Sequence, residues 1–516
     1  MIMIGTNTFP RLRQRKRIFL LFAYLITLTA VLAGCVRPNQ QTDSTDSAEI
    51  FQDGQTIITA DGQPESELSL DNGKPAPSRQ HEVSLGETIN TIAEQYGISS
   101  EALMTINEIE DGSQLFPGRI LLIPIAEQST DEGESSQVET VQYVQTEIIS
   151  DHHLVYGPAA KNFDMEQFLQ AYDGYLLNYE EEVESQLLNG SEIVQLVADR
   201  HSINPQLLLA VLEYNAGWLT EEEPHKIEYM AGREEEGREG LYKQLSWAAN
   251  MLNFGFYARS EGGLTAVTID ETEVSFAPEI SGGTAAVQYY LAARDDITQQ
   301  GWQFDAGPDG LAATYRQLFG DPLSMGEIPL LPDNLQQPSL LIPWESGKTW
   351  YFSGGPHGGW NSGSAWAALD FAPPDVEYGC FTSDSWATAV ADGTIARSGF
   401  GAVVLDLDND GYAGTGWAIT YMHLDNRDRL QEGTKVSAGD RIGHPGCEGG
   451  VTNGTHLHIA RTYNGRWISA DGAIPFDLDG WISGGQGYEY NGWLKRDGVT
   501  KTADVYRTEE NAITAD

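Results

Sequence analysis

The sequence predicts a chain of several domains: a small α+β module, an all-α middle domain and a mainly antiparallel β domain at the C-terminal end. Its 516 residues exceed what one hydrophobic core holds, and this length suggests about three domains. Polar stretches with little apolar pattern divide the chain at 36–80, 126–150 and 325–339. The apolar pattern changes from a helical period before the third stretch to strand-like runs after it.

Residues 1–35 have the composition of an export signal. Basic residues cluster at 11–17, an apolar run follows at 18–34, and Cys35 comes directly after Leu-Ala-Gly. An uncleaved membrane anchor is the alternative, because the apolar run is at the lower limit for a spanning helix. The segment resembles a bacterial lipoprotein signal, which implies cleavage before Cys35 and lipid attachment to its thiol. We therefore expect an exported, lipid-anchored protein on the cell-wall, periplasmic or extracellular side of a membrane.

The charge balance excludes one class of partner. The chain has 30 Lys and Arg against 75 Asp and Glu, a formal net charge of −45. Nucleic-acid binding needs a basic surface, so we expect no nucleic acid as a partner. A solvated acidic surface that aids solubility accounts for the excess.

The first folded unit, 81–125, has apolar residues at helical spacing between two short strand-like runs. Its segments HEVSLGETINTIAEQYGISSEALMTINEI and LFPGRILLIP resemble a lysin motif (LysM) module. The resemblance implies binding to glycans that contain N-acetylglucosamine. A spacer that has lost its ligand is the alternative.

The middle unit, 151–324, carries repeated helical apolar periods, with Asn204 and Pro205 as a helix start signal. Its segment INPQLLLAVLEYNAGWLT resembles the lysozyme-like lytic transglycosylases, whose general-acid Glu aligns with Asn215. An amide cannot donate a proton as a carboxylic acid does, so we expect a non-catalytic glycan-binding or spacer domain. A residual glycosidase that uses Glu213 is the alternative.

The third unit, 340–508, precedes a short tail at 509–516 and holds five of the ten histidines. His456 and His458 are two apart, so in a strand they point to the same face. His357 lies in a Gly-rich segment, Asp370 follows an apolar run, and His423 follows Tyr-Met. Two His and one Asp with an open position form a normal catalytic zinc site.

These motifs resemble the lysostaphin-type zinc metallopeptidases, and within them the β-lytic endopeptidase branch. Most of that superfamily has a ligand His four residues before the Asp, where this chain has Trp366. The β-lytic branch places the His thirteen residues before the Asp, as His357 and Asp370 stand here, and GTHLH and YMHL also match. The resemblance implies that His357, Asp370 and His458 bind zinc. It also implies that His423 and His456 are catalytic, with the general base left open between them.

Cys380 and Cys447 are an even pair in an exported chain, which favours a disulfide over free thiols or soft metal ligands. Cys447 also fits a disulfide cysteine of the β-lytic branch.

We assign His444 to structure or groove lining. The run from Asp406 to Gly411 begins like a calcium loop but has Trp417 at the twelfth position, so a polar hairpin turn is the preferred interpretation.

Taken together, these patterns predict a lipid-anchored zinc endopeptidase that hydrolyses peptidoglycan stem or cross-bridge peptides while the LysM module holds the glycan. A catalytically silent wall-binding scaffold, or an activator of another cell-wall hydrolase, is the alternative from another class. A secreted protease for Gly-rich proteins would share the chemistry without needing a glycan module.

Overall fold

The computed structural model describes most of the chain from residue 146 onward and parts of the N-terminal module. The described residues are 78–82, 92, 93, 96, 103, 104, 107, 120–124, 146–261, 263–269, 272–450 and 452–516. The predicted export signal and lipidation site at 1–35 lie outside them. Among the described residues, no helix combines the length and the apolar character needed to cross a bilayer.

The N-terminal module is a compact unit of its own within 1–133. Strand β1 (Ser78–Glu82) pairs antiparallel with β2 (Ile120–Pro124). Helical residues between them place Ile92 and Leu103 in a small buried core against Leu121 of β2. Two strands enclosing helical segments is the α+β arrangement that the sequence predicts for this module.

The region after the acidic stretch is mainly helical and begins at buried Ile148 and Ile149. Several of its helices begin where a side chain accepts from a free N–H group; Asn189, for example, forms a capping box with Glu192. The helices are α1 (Asp151–Leu154), α2 (Met165–Leu169), α3 (Gly190–His201), α4 (Pro205–Ala216), α5 (Leu241–Ser260), α6 (Gly282–Ala292), α7 (Gln299–Asp305) and α8 (Leu311–Phe319). Two 3-10 turns add to them, Pro158–Ala160 and Tyr175–Asn178.

Two hairpins interrupt the helices, so the prediction of an all-α middle domain is incomplete. Strand β3 (Glu180–Val183) pairs with β4 (Gln186–Asn189), and β5 (Ala266–Ile269) pairs with β6 (Thr272–Ser275). Their runs of four residues are too short to show a strand period against the helical background.

The C-terminal region is built on a large antiparallel sheet. Its strands are β7 (Thr349–His357), β8 (Ala368–Ala372), β10 (Gly393–Gly399), β11 (Ala402–Asp406), β12 (Trp417–Met422), β13 (Lys435–Val436), β15 (Leu457–Tyr463), β16 (Arg466–Trp467) and β21 (Ala512–Thr514). They follow the order β13-β10-β11-β12-β15-β8-β7-β21, with β16 paired to β15. The central strands are buried on both faces, and β21 places part of the predicted tail in the sheet.

Smaller sheets complete the region. A four-stranded sheet has the order β17-β18-β19-β20, and β14 pairs with β9. Their strands are β9 (Ala387–Thr388), β14 (Arg441–Gly443), β17 (Asp477–Leu478), β18 (Trp481–Gly485), β19 (Gly492–Arg496) and β20 (Val499–Thr502).

The sheet region has a hydrophobic core of its own, but the side of it that faces the helices is buried in the core of the helical region within the unit 134–516. Ala365, Ala367, Ala460 and Trp467 of the sheet region are buried together with side chains of α3 to α6. The intervening stretch 325–339 is also docked, because the carbonyl of buried Leu330 accepts a hydrogen bond from Asn464 Nδ2 at 3.0 Å. The two regions are therefore packed as one body.

Candidate metal centre

Three adjacent strands bring the predicted metal ligands onto one face of the large sheet. β7 ends at His357, β8 carries Asp370 and β15 carries His458. His458 lies directly opposite Asp370 in the register of β15 and β8. Two register shifts in the pairing of β7 with β8 place His357 opposite Ala368, two residues from Asp370 on the same face.

The donor atoms of these three buried side chains converge on one point. His357 Nε2 lies 2.9 Å from His458 Nδ1. Asp370 Oδ1 lies 3.2 Å from the first nitrogen and 3.3 Å from the second. Tetrahedral ligands at about 2.0 Å from a zinc ion are about 3.3 Å apart, so the spacing fits such an ion.

In each of these two histidines, the ring nitrogen that faces away from this point forms a hydrogen bond that shows where the proton lies. His357 Nδ1 donates to the carbonyl of Gly355 at 2.8 Å, and His458 Nε2 donates to the carbonyl of Gly359 at 3.1 Å. A carbonyl only accepts, so the proton is on the far nitrogen and the near one keeps its lone pair. Asp370 Oδ1 accepts no well-oriented hydrogen bond from any described residue. Two lone pairs and a carboxylate oxygen facing one another suit a bound cation.

His423 and His456 lie beside this cluster and are oriented in the same way. Their Nδ1 atoms donate to the carbonyls of Glu448 at 3.1 Å and Gly454 at 2.8 Å. Their ring centroids are 4.5 Å apart, and His456 Nε2 lies 3.5 Å from Asp370 Oδ1. The His456 side chain is 17% exposed whereas that of His458 is 7% exposed, so the site opens to solvent on the His456 side.

Burial and mutual charge shift the pKa values in this cluster. Burial alone would raise the pKa of Asp370, but His357 and His456 outweigh it and hold that pKa well below its usual range. Burial would also lower the pKa of His357, but the charge of Asp370 outweighs it and raises the pKa. Burial, reinforced by His456 and His458, lowers the pKa of His423 well below its usual value. His423 is therefore neutral at neutral pH.

The structure adds one segment to the site that the sequence motifs did not indicate. The ring of Tyr490 stacks on that of His357 with centroids 4.3 Å apart, and Tyr490 has a left-handed φ of 64°. The neighbouring Glu489 accepts a hydrogen bond from the Gly358 N–H at 3.1 Å. This segment lies far along the chain and has no ligand-type motif, so only its aromatic residues within a Gly-rich stretch could have drawn attention.

The predicted cysteine pair forms a disulfide in the structure. Cys380 and Cys447 are bonded, with Cα atoms 5.6 Å apart. Cys447 immediately precedes Glu448, whose carbonyl orients His423. The bond thus holds the loop that carries this carbonyl.

Other residues singled out in the sequence have structural partners. Glu213 accepts hydrogen bonds from the Leu219 N–H at 3.0 Å and the Thr220 hydroxyl at 2.6 Å, and so closes the turn after α4. The ring of His444 lies 3.8 Å from that of Trp386, outside the histidine cluster. These contacts favour structural roles for both residues.

The acidic turn is a separate cluster from the metal ligands, and the backbone of Trp366 pairs elsewhere in the sheet region. Asp406, Asp408 and Asp410 converge in the hairpin between β11 and β12, where Lys161 forms an ion pair with Asp410. Backbone N–H groups of that hairpin donate to Asp406, as a polar turn requires. The carbonyl of Trp366 accepts from the Ala470 N–H at 2.7 Å.

Three family models match separate parts of the chain. Residues 81–124 match the LysM domain, 147–332 match the N-terminal domain of LasA, and 380–470 match peptidase family M23. The last match includes His423, His456 and His458 but begins after His357 and Asp370. A peptidase-family domain with this cluster of metal-ligand side chains defines the class: the protein is a metalloendopeptidase.

The chain is also similar to individual proteins. Protease LasA of Pseudomonas aeruginosa is 26% identical over 350 residues, which cover 63% of this chain and 76% of that protein. Among solved structures, the deep-sea M23 metalloprotease pseudoalterin is 25% identical and covers 32% of this chain and 96% of its own, with a TM-score of 0.27. The catalytic domain of lysostaphin from Staphylococcus simulans is 27% identical over 24% of this chain and 88% of its own, with a TM-score of 0.17.

The match at 147–332 bears on the expectation for the middle region. A short likeness around Asn215 predicts a lysozyme-like domain there. The family model that matches the region is a different one, the N-terminal domain of LasA, and it covers the whole helical region. The lysozyme-like prediction is therefore not supported.

Proposed function

We propose that this protein is a zinc endopeptidase that hydrolyses peptide bonds of peptidoglycan. In this proposal His357, Asp370 and His458 hold the zinc ion, and His423 and His456 act on the reacting groups. The observation that carries the proposal is the convergence of two ring nitrogens and one carboxylate oxygen within 2.9 to 3.3 Å of one another. The far ring nitrogens donate to carbonyls, so two lone pairs and a negative charge face one another, and a divalent cation is the species that stabilises this arrangement.

The metal and the two remaining histidines have complementary tasks. When bound, zinc supplies Lewis acidity, which lowers the pKa of a coordinated water and polarises the scissile carbonyl. His423 and His456 each direct an Nε2 lone pair toward the site, because their Nδ1 protons are bonded to carbonyls. Either imidazole can accept the proton of the attacking water and then donate it to the leaving amine. His456, on the more open side, is placed to contact the substrate.

Two parts of the chain support a peptidoglycan substrate. The LysM module provides a means of binding the glycan, and the likeness to Protease LasA and lysostaphin supports peptidase activity toward the peptides. The formal net charge of −45 disfavours nucleic acid as a partner. We infer that the glycan is bound by the module and that the peptide is cut at the histidine cluster.

We also infer that the protein is exported and attached to a membrane by lipid at Cys35. The order of basic residues, apolar run and Leu-Ala-Gly-Cys supports this inference. Metabolic labelling with a radioactive or alkynyl fatty acid tests it. Wild type should take up label and Cys35→Ser should not; equal labelling would contradict lipidation at this residue.

The catalytic proposal is tested with purified peptidoglycan. Wild type, His458→Ala and the matched control His444→Gln are compared for bound zinc by elemental analysis and for released peptides by mass spectrometry. Wild type and the control should bind about one zinc ion and release the same peptides, while His458→Ala should do neither. A wild type that binds wall and zinc but releases no peptide would instead favour the silent scaffold. Equal release by His458→Ala would refute the assignment of the metal site.

A further inference from the structure

Three exposed aromatic side chains form a patch on the sheet region. Tyr378 is 64% exposed, Phe381 52% and Tyr506 65%. The rings of Tyr378 and Tyr506 lie 6.3 Å apart. The ring of Phe381 turns back toward Gly379, where a Cβ would be 3.4 Å from a ring carbon. Large rings exposed side by side are typical of a binding surface, and we call these three side chains the aromatic patch.

The backbone beneath the aromatic patch is bonded to the segment that leads into His456. The Thr455 N–H donates to the carbonyl of Gly379 at 3.0 Å, and the Phe381 N–H donates to the Thr455 hydroxyl at 2.8 Å. Thr455 immediately precedes His456, which lies on the side where the metal centre opens to solvent. The aromatic patch therefore continues the open side of the site, within reach of a peptide bound at His456.

Both loops that carry the aromatic patch are held by hydrogen bonds. The carboxylate of Asp375 accepts from the hydroxyls of Ser383 at 2.6 Å and Ser385 at 2.7 Å, and so closes the loop that contains two of the rings. The amide of fully buried Asn511 donates to the carbonyl of Tyr506 at 2.8 Å. The rings are thus presented on a fixed backbone, so binding a ligand costs little ordering of the protein.

A positive charge lies beside these rings. The guanidinium carbon of Arg507 is 5.5 Å from the centre of the Tyr378 ring, and Nη1 donates to the carbonyl of Val376. In the part of the chain that the structure describes, no carboxylate is among the contacts of this side chain. Arg496, by contrast, pairs with Asp479 at 2.9 Å. In a chain with a formal net charge of −45, a guanidinium without a carboxylate of its own favours an anionic ligand.

We propose that the aromatic patch and Arg507 form a substrate subsite for a peptide residue with a free carboxylate, a few residues from the scissile bond. Arg507 donates to the carboxylate, and the rings of Tyr378 and Phe381 cover apolar parts of the peptide. Stem peptides of peptidoglycan carry free carboxylates within the chain, whereas a cross-bridge made only of glycine carries none. The inference rests on the proposed function, and it assigns the stem peptide to this subsite.

The first test compares two soluble substrates of the full-length zinc protein. One is a stem-peptide fragment that contains the bond cut in purified wall, and the other is the same fragment with its carboxylates amidated. Wild type should show a kcat/KM about 10-fold higher for the free acid, because a charge-assisted hydrogen bond is lost with the amide. Arg507→Gln should lose this preference through a higher KM for the free acid, and Arg507→Lys should keep part of it.

A matched control accompanies the arginine variants. Lys435→Gln removes one exposed positive charge from β13 and should behave as wild type. Zinc content and circular dichroism should be the same in all variants, because Arg507 is not assigned to the metal site. A wild type that cuts both fragments equally well, or a preference that persists in Arg507→Gln, would overturn the subsite.

The second test concerns the rings. Tyr378→Ala and Phe381→Ala should each raise KM severalfold for both fragments and leave kcat unchanged, because the rings contact the peptide away from the reacting atoms. Ile482→Ala, at an exposed apolar position on β18, is the control and should not change KM. An oligosaccharide of N-acetylglucosamine that inhibits wild type but not Tyr378→Ala would show that the aromatic patch binds glycan, and would overturn the assignment to a peptide.

The outcomes separate this inference from the function on which it rests. A wild-type protein that neither binds zinc nor cuts any wall peptide overturns the proposed function. A wild type that binds zinc and cuts peptide, with no effect of the carboxylate, overturns only the subsite.

Discussion

Acid should lower the free energy of unfolding of the unit 134–516, because one buried histidine resists protonation in the folded state. His201 ends α3 beneath the loop 358–367, is 1% exposed, and its Nδ1 has no hydrogen-bond partner among the described residues. Burial, reinforced by the charge of Arg200, lowers the pKa of His201 from 6.5 to about 3. The folded protein thus keeps this ring neutral over a pH range in which the unfolded chain protonates it.

The sign and size of the effect follow from this difference in pKa. Above pH 6.5 both states are neutral and the folded state has its full stability. As the pH falls from 6.5 toward 3, the unfolded state gains a proton that the folded state excludes, which costs about 1.4 kcal/mol per pH unit. At pH 4 the loss from this one group is about 3 kcal/mol. Below about pH 3 the folded ring is protonated as well, and the loss levels off.

Urea unfolding followed by tryptophan fluorescence measures the effect. Wild type and His201→Gln are compared at pH 7 and pH 4, both without metal so that acid release of an ion does not contribute. The free energy of unfolding of wild type should fall by about 3 kcal/mol more than that of the variant. His225→Gln, at a largely exposed position, is the control and should follow wild type. An equal acid loss in wild type and His201→Gln would refute the reasoning.

Three further predictions concern the site and the module. Cys447→Ser should lower kcat about 10-fold, because the loop that carries the Glu448 carbonyl, which orients His423, is no longer held by the disulfide. Steady-state kinetics on a soluble peptide measure kcat, and an unchanged value would show that the disulfide does not orient His423. Zinc affinity should weaken as the pH falls, because Asp370 raises the pKa of His357 and protons then compete with the metal; chelator competition at several pH values measures it, and a pH-independent affinity would contradict it. Deleting the LysM module should leave kcat on a soluble peptide unchanged but reduce sedimentation with purified wall, and equal sedimentation would rule out glycan binding by the module.

The sequence predicted the convergence of the site through local rules. Alternation along a strand predicted that His456 and His458 face one side, and both reach Asp370 Oδ1 within 3.5 Å. The pairing of His357 with Asp370 came from the likeness to a family and not from periodicity. Register shifts between β7 and β8 bring these two residues together, and no local pattern shows where such shifts fall.

The burial of several sheet-region residues in the core of the helical region is the feature that the sequence did not predict. Ala365 and Ala367 are small apolar residues in a Gly-rich loop, and locally they indicate only a turn. Their burial depends on helices more than a hundred residues earlier in the chain, which periodicity within a window cannot reveal. For the same reason the polar stretch 325–339 reads as a linker, although Gln337 is bonded to the backbone of Asp477 at 2.6 Å.

Zinc binding should be coupled to folding, because each of the four site histidines is oriented by a hydrogen bond from its far ring nitrogen to a backbone carbonyl. Their carbonyl partners are Gly355 in β7, Gly359 in the loop after β7, and Glu448 and Gly454 in the loop held by the disulfide. These carbonyls come from separate segments of the sheet region, which packs against the helical region in the unit 134–516, so the binding-competent site exists only in the folded state. We therefore expect one urea transition for both regions. Zinc should raise its midpoint equally whether unfolding is followed by loss of helix signal or by fluorescence of the sheet region. Hydrogen exchange resolved by peptide measures this for each half. Protection by zinc confined to 340–516 would show that the two regions unfold separately although they pack against each other.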